Sequence, residues 1–494
     1  MGKGNTEAVA EAQSDLSALF YQGLALHQQG KLGQAQAIYK QVLARQPRHF
    51  DAMYFSGAIA AQSGNHLIAA ELIGKAIAID PRNAEAHMNL GNALRELGRL
   101  EEALASYETA IAIKPGHAGA NSNRAIALRD SGHLQEALAG NEKAIAATPD
   151  CASEYSNRGL VLQELKRMDE AFASYDRAIA IKPDFVEAFW NKSLALLQSG
   201  EFKHGWQLYE RRWEHQKLGL KARKFPQPLW LGVQDIAGKT LLLHAEQGLG
   251  DTIQFCRYAG LVKEKGAKVV LEVPKALFGL LGRLDGVDEL VEQGKTLPAF
   301  DFHCPLLSLP LAFKTDLTSI PSPEAYLAAT ADKCQEWSQR LGPKTKRRVG
   351  FVWSGSAVHK NNHNRSLTVQ QLLRHMPECH EYVSLQKEAR DADRHILAGR
   401  GIVFHGEGLK DFTDTAALCA LMDVVISVDT SVAHLAGALG KETWILLPYS
   451  PDWRWLLERQ DSPWYRSVKL FRQAADVQWE PVLERVADEL HELA

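Results

Sequence analysis

The first two-fifths of this chain repeats itself. Pro47, Pro81, Pro115, Pro149 and Pro183 recur every 34 residues. Twelve residues before each stands a small one: Ala35, Ala69, Ala103, Ala137 and Ala171. Gly23, Gly57, Gly91, Ala125 and Gly159 keep the same interval. A unit of this length is one supersecondary element, which must stack on its neighbours to bury its apolar side. The small residues let two helices approach closely, and the Pro stops the second of them.

A 34-residue period with this small, small, Pro pattern resembles the tetratricopeptide repeat, two antiparallel helices per unit stacked into a superhelix with a concave face. A sixth unit, 186–219, is degenerate: Gly205 replaces the Ala and no Pro follows. Its aromatic stretch, Glu201 to Trp213, is expected to be a capping helix docked on the next domain, so the array is placed at 1–219. Asn89, Asn123, Asn157 and Asn191 share one repeat position on the first helix of each unit. Each Asn offers a donor and an acceptor. O-linked N-acetylglucosamine transferases have a similar ladder, which implies a grip on an extended peptide; ordinary packing within the array is the alternative.

The remainder is of ordinary globular composition, and few function classes are favoured by charge. The net charge is −3, which gives no overall pull towards nucleic acid or a membrane surface. No apolar run approaches the ~20 residues that span a bilayer, and the polar, Ala-rich start has no signal-peptide core. The six Cys are scattered, which suits reduced thiols in a cytoplasm. A basic, Pro-containing stretch, 220–238, is expected to be a solvated linker, as is the basic run Lys344 to Arg348.

Beyond the linker the pattern becomes alternating strand and helix. Thr240 to Ala245 reads as a strand, Glu246 to Asp251 as a Gly-rich turn, Thr252 to Lys265 as a helix and Lys268 to Val273 as the next strand. The turn is not a Walker loop, because no Gly-Lys-Ser/Thr comes after it. A second series has strands at Val349 to Trp353, Glu381 to Leu385 and Gly401 to Phe404. Helices are expected from Thr368, over Asp414 to Leu421 and over Glu480 to Ala494. Its most informative part is Asp423 to Pro448. Val424 to Val428 is a buried parallel strand, Asp429-Thr430-Ser431 a turn with N-cap chemistry, and the next residues a helix stopped by Gly440 before a further strand. A helix N-terminus at a strand's carboxyl end suits an anion such as a pyrophosphate, and His434 lies on the same helix face as the turn.

Asp429-Thr-Ser-x-x-His434-Leu-Ala-x-Ala-Leu-Gly440 resembles the nucleotide-sugar motif of glycosyltransferase family 9, the heptosyltransferases; Ser431 stands where that family usually has Gly. Gly248-x-Gly250-Asp251 resembles the turn that opens those enzymes. The resemblance covers about residues 239–475. It implies a two-lobed, doubly wound, Rossmann-like α/β region of GT-B architecture, with an acceptor lobe at 239–343 and a donor lobe at 344–494. The full layout is similar to O-linked N-acetylglucosamine transferases and bacterial flagellin-modifying transferases.

The implied activity is a cytoplasmic, metal-independent, inverting transfer from a nucleotide sugar to a protein. The alternatives are an inactive repeat scaffold or a lipopolysaccharide-type sugar transferase. The donor site is expected to comprise Gly248, Gly250, Asp429, Thr430, Ser431 and His434, with Arg365 as the phosphate cation, Lys360 behind it, and Glu388 on the ribose. Asp251 is the expected general base, with His244, Glu246 and His303 next in line; His303 either lines the acceptor side or is structural. Phe412 is either a base-stacking ring or a staple before its helix. The cluster Trp453, Trp455, Trp464 and Tyr465 either binds sugar or packs the lobes. No Asp-x-Asp pair or His/Cys cluster stands out as a metal site.

Overall fold

The computed structural model describes residues 3–356 and 362–493, so His359 and Lys360 lie outside the described residues. The chain forms two compact units, Met1–Ala188 and Phe189–Ala494.

The first unit is built from α1 (Lys3–Gln28), α2 (Leu32–Arg45), α3 (Phe50–Gln62), α4 (His66–Ile77), α5 (Ala84–Glu96), α6 (Leu100–Ile113), α7 (Ala118–Asp130), α8 (Leu134–Ala147), α9 (Ala152–Glu164) and α10 (Met168–Ile181), and includes the start of α11 (Val186–Gln198). Each even-numbered helix up to α10 ends a few residues before its repeat's Pro, because the residue preceding a proline is pushed out of helical conformation. The periodic glycines have a steric cause. A Cβ on Gly91 would sit 2.6 Å from the Tyr107 ring, and one on Gly159 2.5 Å from that of Tyr175, both rings being fully buried. Where Ala125 replaces the Gly, the matching ring position holds the smaller Asn141. The structure adds a second period. Gly30, Gly64, Gly98 and Gly132 turn the chain between paired helices at φ 73 to 81, and Lys166 takes the same left-handed conformation at φ 60.

The second unit contains the rest of α11, then α12 (Phe202–Tyr209) and β1 (Thr240–His244). There follow α13 (Leu249–Phe255), α14 (Ala259–Glu264), β2 (Lys268–Val273), α15 (Lys275–Leu281), β3 (Glu289–Glu292), β4 (Phe302–Pro305), α16 (Leu309–Ala312) and α17 (Ala331–Leu341). A second series runs β5 (Arg348–Val352), α18 (Asn362–Arg365), α19 (Val369–Arg374), β6 (Glu381–Ser384), α20 (Asp391–Gly399), α21 (Phe412–Ala420), β7 (Val424–Val428), α22 (Ser431–Ala438), β8 (Thr443–Leu447), β9 (Val468–Arg472) and α23 (Glu480–Glu492). Two parallel sheets result, ordered β3-β2-β1-β4 and β6-β5-β7-β8-β9. Strand order reverses beside β1 in the first and beside β5 in the second, which places a crevice at the carboxyl ends of β1/β4 and of β5/β7.

Several expectations are corrected. Gly401 to Phe404 is not a strand: Gly401 has φ 69, Val403 is 64% exposed, and Ile402 and Phe404 pack instead against the core beside α20. The strand beside β8 at one edge of the second sheet is β9, which the sequence does not announce. Residues 220–238 are not a free connector. Arg223 pairs with the buried Glu272, the Phe225 ring packs at a tilt against His303 with centroids 4.8 Å apart, and the Trp230 backbone N–H bonds the His303 carbonyl at 2.8 Å, so this stretch lies along the edge of β4. In the basic run before β5, Arg348 is buried and paired with Glu381 at 2.9 Å. Helix α13 begins at Leu249 rather than Thr252, because Asp251 accepts from the Gly248 N–H at 2.8 Å and caps it. Helix α21 begins at Phe412, capped by Asp411.

The end of the array also moves, from 219 to 188. Phe202, Trp206 and Tyr209 of α12 are buried in one core with residues of both sheets. Trp206 packs edge-on against Trp453 at 5.2 Å, and Phe202 lies 6.0 Å from Trp464. The Trp cluster is thus core packing, and α12 is part of it. A chain begun at Leu220 strips this core of three buried aromatics, of which Phe202 and Trp206 are each worth about 3–5 kcal/mol. It is expected to show no cooperative thermal unfolding by circular dichroism, whereas a chain begun at Phe189 is expected to melt cooperatively.

Candidate active site

A cavity of about 860 Å³ opens at the carboxyl ends of β5, β6 and β7, where the second sheet's strand order reverses. Its walls include Ser354 and Gly355 after β5, Gln386 to Arg390 after β6, Leu409 to Phe412, and Thr430, Ser431 and Val432 after β7. Leu249 and Ala276 enter from the first series. The β7 strand is a run of buried β-branched residues that ends in Asp429, as its sequence requires. Thr430 is the N-cap of α22, but its hydroxyl faces Ser427 at 3.1 Å and makes no cap bond. The first amides of α22 therefore carry no side-chain cap where they meet the cavity, and unsatisfied amides with a helix dipole behind them attract an anion.

Behind this wall lies a charged knot. His434 is buried, lies parallel to the Trp455 ring at 5.3 Å, and shares a 2.9 Å hydrogen bond with the Tyr465 hydroxyl. Burial, reinforced by Arg454, drives its pKa well below the ordinary value, so it is a neutral imidazole. Its Nε2 stands 3.8 Å from Asp429. Burial and the neighbouring Asp452 push the Asp429 carboxyl upwards. Arg365 donates to the Asp429 carbonyl at 2.8 Å, and its Nε is buried without a partner among the described residues. Neither Asp429, His434 nor Arg365 lines the cavity itself.

The Gly-rich turn comes into this knot from the first sheet. A Cβ on Gly250 would lie 2.9 Å from the His434 ring and 3.5 Å from Ser431 Cα, so the first turns of α13 and α22 touch. Asp251, 18% exposed, pairs through Oδ1 with Arg454 and through Oδ2 with its own Gly248 N–H. The same turn is braced from below. Arg212, fully buried, donates to Glu246 at 2.8 Å and to Ser308 at 2.7 Å, and Gln247 donates to the Tyr209 hydroxyl at 3.0 Å. Burial pushes Glu246 up to about 7 against the pull of Arg212. Arg212 bridges the segments that follow β1 and β4 and so fills the crevice of the first sheet.

The structure therefore brings together Gly248, Gly250, Asp251, Arg365, Asp429, Thr430, Ser431 and His434. Glu388 is exposed on the cavity wall. Phe412 lines the same cavity as the first residue of α21. His303 is elsewhere: it lies within β4, not at a strand end, and shares a 3.3 Å hydrogen bond with His244. The sequence does contain an Asp-x-Asp pair, Asp391-Ala-Asp393, but Asp393 is taken up by Arg390 at 3.0 Å. Sequence reasoning also misses Arg454, Arg212 and Gln254. The only signal for Arg454 is its place between two Trp residues singled out for their rings.

In the first unit, Asn89, Asn123 and Asn157 sit half-buried on α5, α7 and α9. Asn89 already donates to the Tyr54 hydroxyl and Asn123 to Asn92 at 2.9 Å. Asn191 lies on the part of α11 that belongs to the second unit.

Tetratricopeptide-repeat profiles match residues 20–79, 60–118, 94–157 and 155–185, so this stretch consists of such repeats. Protein FlbA of Caulobacter vibrioides is 26% identical over 334 residues, 60% of this chain and 54% of that one. The match thus spans about half the length of that relative. Among solved structures, YrrB, described as a TPR protein with an unusual peptide-binding site, is 24% identical, covers 38% of this chain and 97% of its own, and has a TM-score of 0.34. PilW, described as a type IV pilus biogenesis factor, is 18% identical, with 41% and 94% covered and a TM-score of 0.38. None of the described helices is long and apolar enough to cross a membrane.

The buried histidines set a pH response. Burial, then His303, brings His244 down to about 3 from an ordinary 6.5. A group depressed on folding contributes stability above its unfolded pKa and loses it as pH falls. Between pH 6.5 and about 3, His244 therefore costs about 1.4 kcal/mol of stability per pH unit. Denaturant melts of His244→Gln from pH 7 to pH 5 are expected to show a slope shallower than wild type by about that amount.

Proposed function

We propose that the second unit is a metal-independent, inverting glycosyltransferase of GT-B architecture, which transfers a sugar from a nucleotide donor to a protein recruited by the repeats. The observation that carries this reading is an uncapped helix N-terminus on the wall of a switch-point cavity, with the held Asp251 carboxylate two residues beyond Leu249, which lines the same cavity. The cavity's volume suits a nucleotide. Donor phosphates would lie against the amides of Thr430 and Ser431, where the dipole of α22 favours negative charge. Glu388 is placed to accept hydrogen bonds from ribose hydroxyls, and Phe412 offers a face to the base.

In the transfer, the acceptor oxygen forms a bond to the anomeric carbon from the face opposite the nucleotide. The bond from that carbon to the donor phosphate breaks, its electron pair leaves on the phosphate oxygen, and the acceptor proton passes to Asp251. The departing charge is met by the α22 amides, which are fixed before reaction begins. The filled first crevice favours a macromolecular acceptor: Arg212 occupies the place where a small saccharide would otherwise sit. Tetratricopeptide repeats suit the capture of an extended chain, such as flagellin, and Asn89, Asn123 and Asn157 of the first unit are the proposed contacts.

A thermal-shift panel of UDP-, GDP-, ADP-, dTDP- and CMP-sugars tests the donor. One nucleotide class at 100 times its Kd is expected to stabilise the full chain by roughly 2.7 kcal/mol. Asp251→Asn keeps the side chain's shape; it should retain that shift and lose about 10²-fold or more in nucleotide release. A panel without any shift, or an Asp251→Asn variant as fast as wild type, sinks the reading. A chain begun at Phe189 is expected to keep the shift and lose transfer to protein.

A further inference from the structure

Arg454 stands on the turn between β8 and β9, yet its bonds go mostly to α13. Its side chain is 9% exposed and lies over the Trp453 ring at 4.2 Å. Nε donates to Gln254 at 2.7 Å, Nη1 to Asp452 at 2.8 Å, and Nη2 to Asp251. Both Gln254 and Asp251 belong to α13. Asp251 is therefore gripped at each oxygen, by Arg454 at Oδ1 and by the Gly248 N–H at Oδ2. A carboxylate offers about four lone-pair positions, so two stay open to an incoming proton, and their directions are fixed by the two donors. The grip also carries α13 against α22, where Gly250 meets Ser431.

Resting on the transferase reading, we infer that Arg454 is a positioning residue for transfer: it reaches across from the second sheet to hold the Asp251 carboxylate beside the first turn of α22. The role needs a planar fork. Three nitrogens serve three acceptors at once, which a lysine ammonium on a flexible stem cannot reproduce in that geometry. Arg454 thus contributes to the rate by acting on Asp251, and the donor cavity, which it does not line, keeps its affinity.

The test uses the full chain and whichever sugar nucleotide the panel binds most tightly, with nucleotide release as the readout. Arg454→Lys is expected to lower kcat by about 10- to 100-fold, the scale of a small misplacement of a catalytic group, with donor KM within about twofold. In the Asp251→Asn background the same change is expected to cost no more than about twofold, because residues that act as one unit are not additive. Gln254→Met removes one of the three bonds; it should give a smaller kcat loss that also vanishes in Asp251→Asn, and it serves if Arg454→Lys does not fold. Wild-type kcat in Arg454→Lys, losses that multiply in the double variant, or two variants that both fail to fold would each overturn the inference. A wild-type chain that releases no nucleotide from any donor defeats the transferase reading instead.

Discussion

Two helices begin at the same place. The first turns of α13 and α22 touch where Gly250 lacks a Cβ, and each brings the positive end of a dipole to the contact. Brought together, two such ends repel unless negative charge lies between them. Asp251 and Asp429 supply it at the two helix starts, and Arg454 and Arg365 offset their charge. The neutral His434 fills the remaining space without adding charge. The two parallel sheets, the Trp cluster and α12 all pack outward from this contact.

The buried charges do not make the protein more stable in themselves. Desolvating a guanidinium and a carboxylate costs several kcal/mol per ion, and their attraction roughly repays it. Burial works against the charge on Arg454, and Asp452 and Asp251 outweigh it. A core that wanted only stability would have placed apolar side chains there. What the pairs do provide is a single geometry, since a fork with three acceptors tolerates little displacement. The same logic holds one turn away, where Arg212 fixes the Gly-rich loop through Glu246.

Much of this is legible in the sequence, because it is written in local periods. The 34-residue interval announces the paired helices of the array, and the apolar run before Asp429 predicts β7 and α22. What fails is what depends on distant partners. Val403 alternates with Ile402 and Phe404 as a strand would, but no neighbouring strand accepts it. Arg223 reads as a solvated charge until Glu272 is placed beneath it. Arg454 and Asp251 are more than 200 residues apart in the chain, and no spacing announces their contact. Arg212 sits in a unit whose repeat pattern has decayed, and the decay itself is the signal: Phe202, Trp206 and Tyr209 keep helical spacing and pack into the core of the second unit.

Residues 186–219 do not continue the regular pattern of the array. A regular unit buries its apolar side against the next repeat, with a Gly facing a ring and a Pro ending the second helix. In 186–219 the Pro is lost and a short 3₁₀ turn, Glu210–Trp213, continues from α12. That continuation carries Arg212 into the crevice at the ends of β1 and β4, the position a parallel sheet ordinarily keeps for its ligand. Once an arginine with two carboxylates occupies that crevice, a small ligand cannot displace it without leaving the buried Glu246 unpaired. The cavity of the second sheet, which Leu249 and Ala276 of the first series also line, stays open.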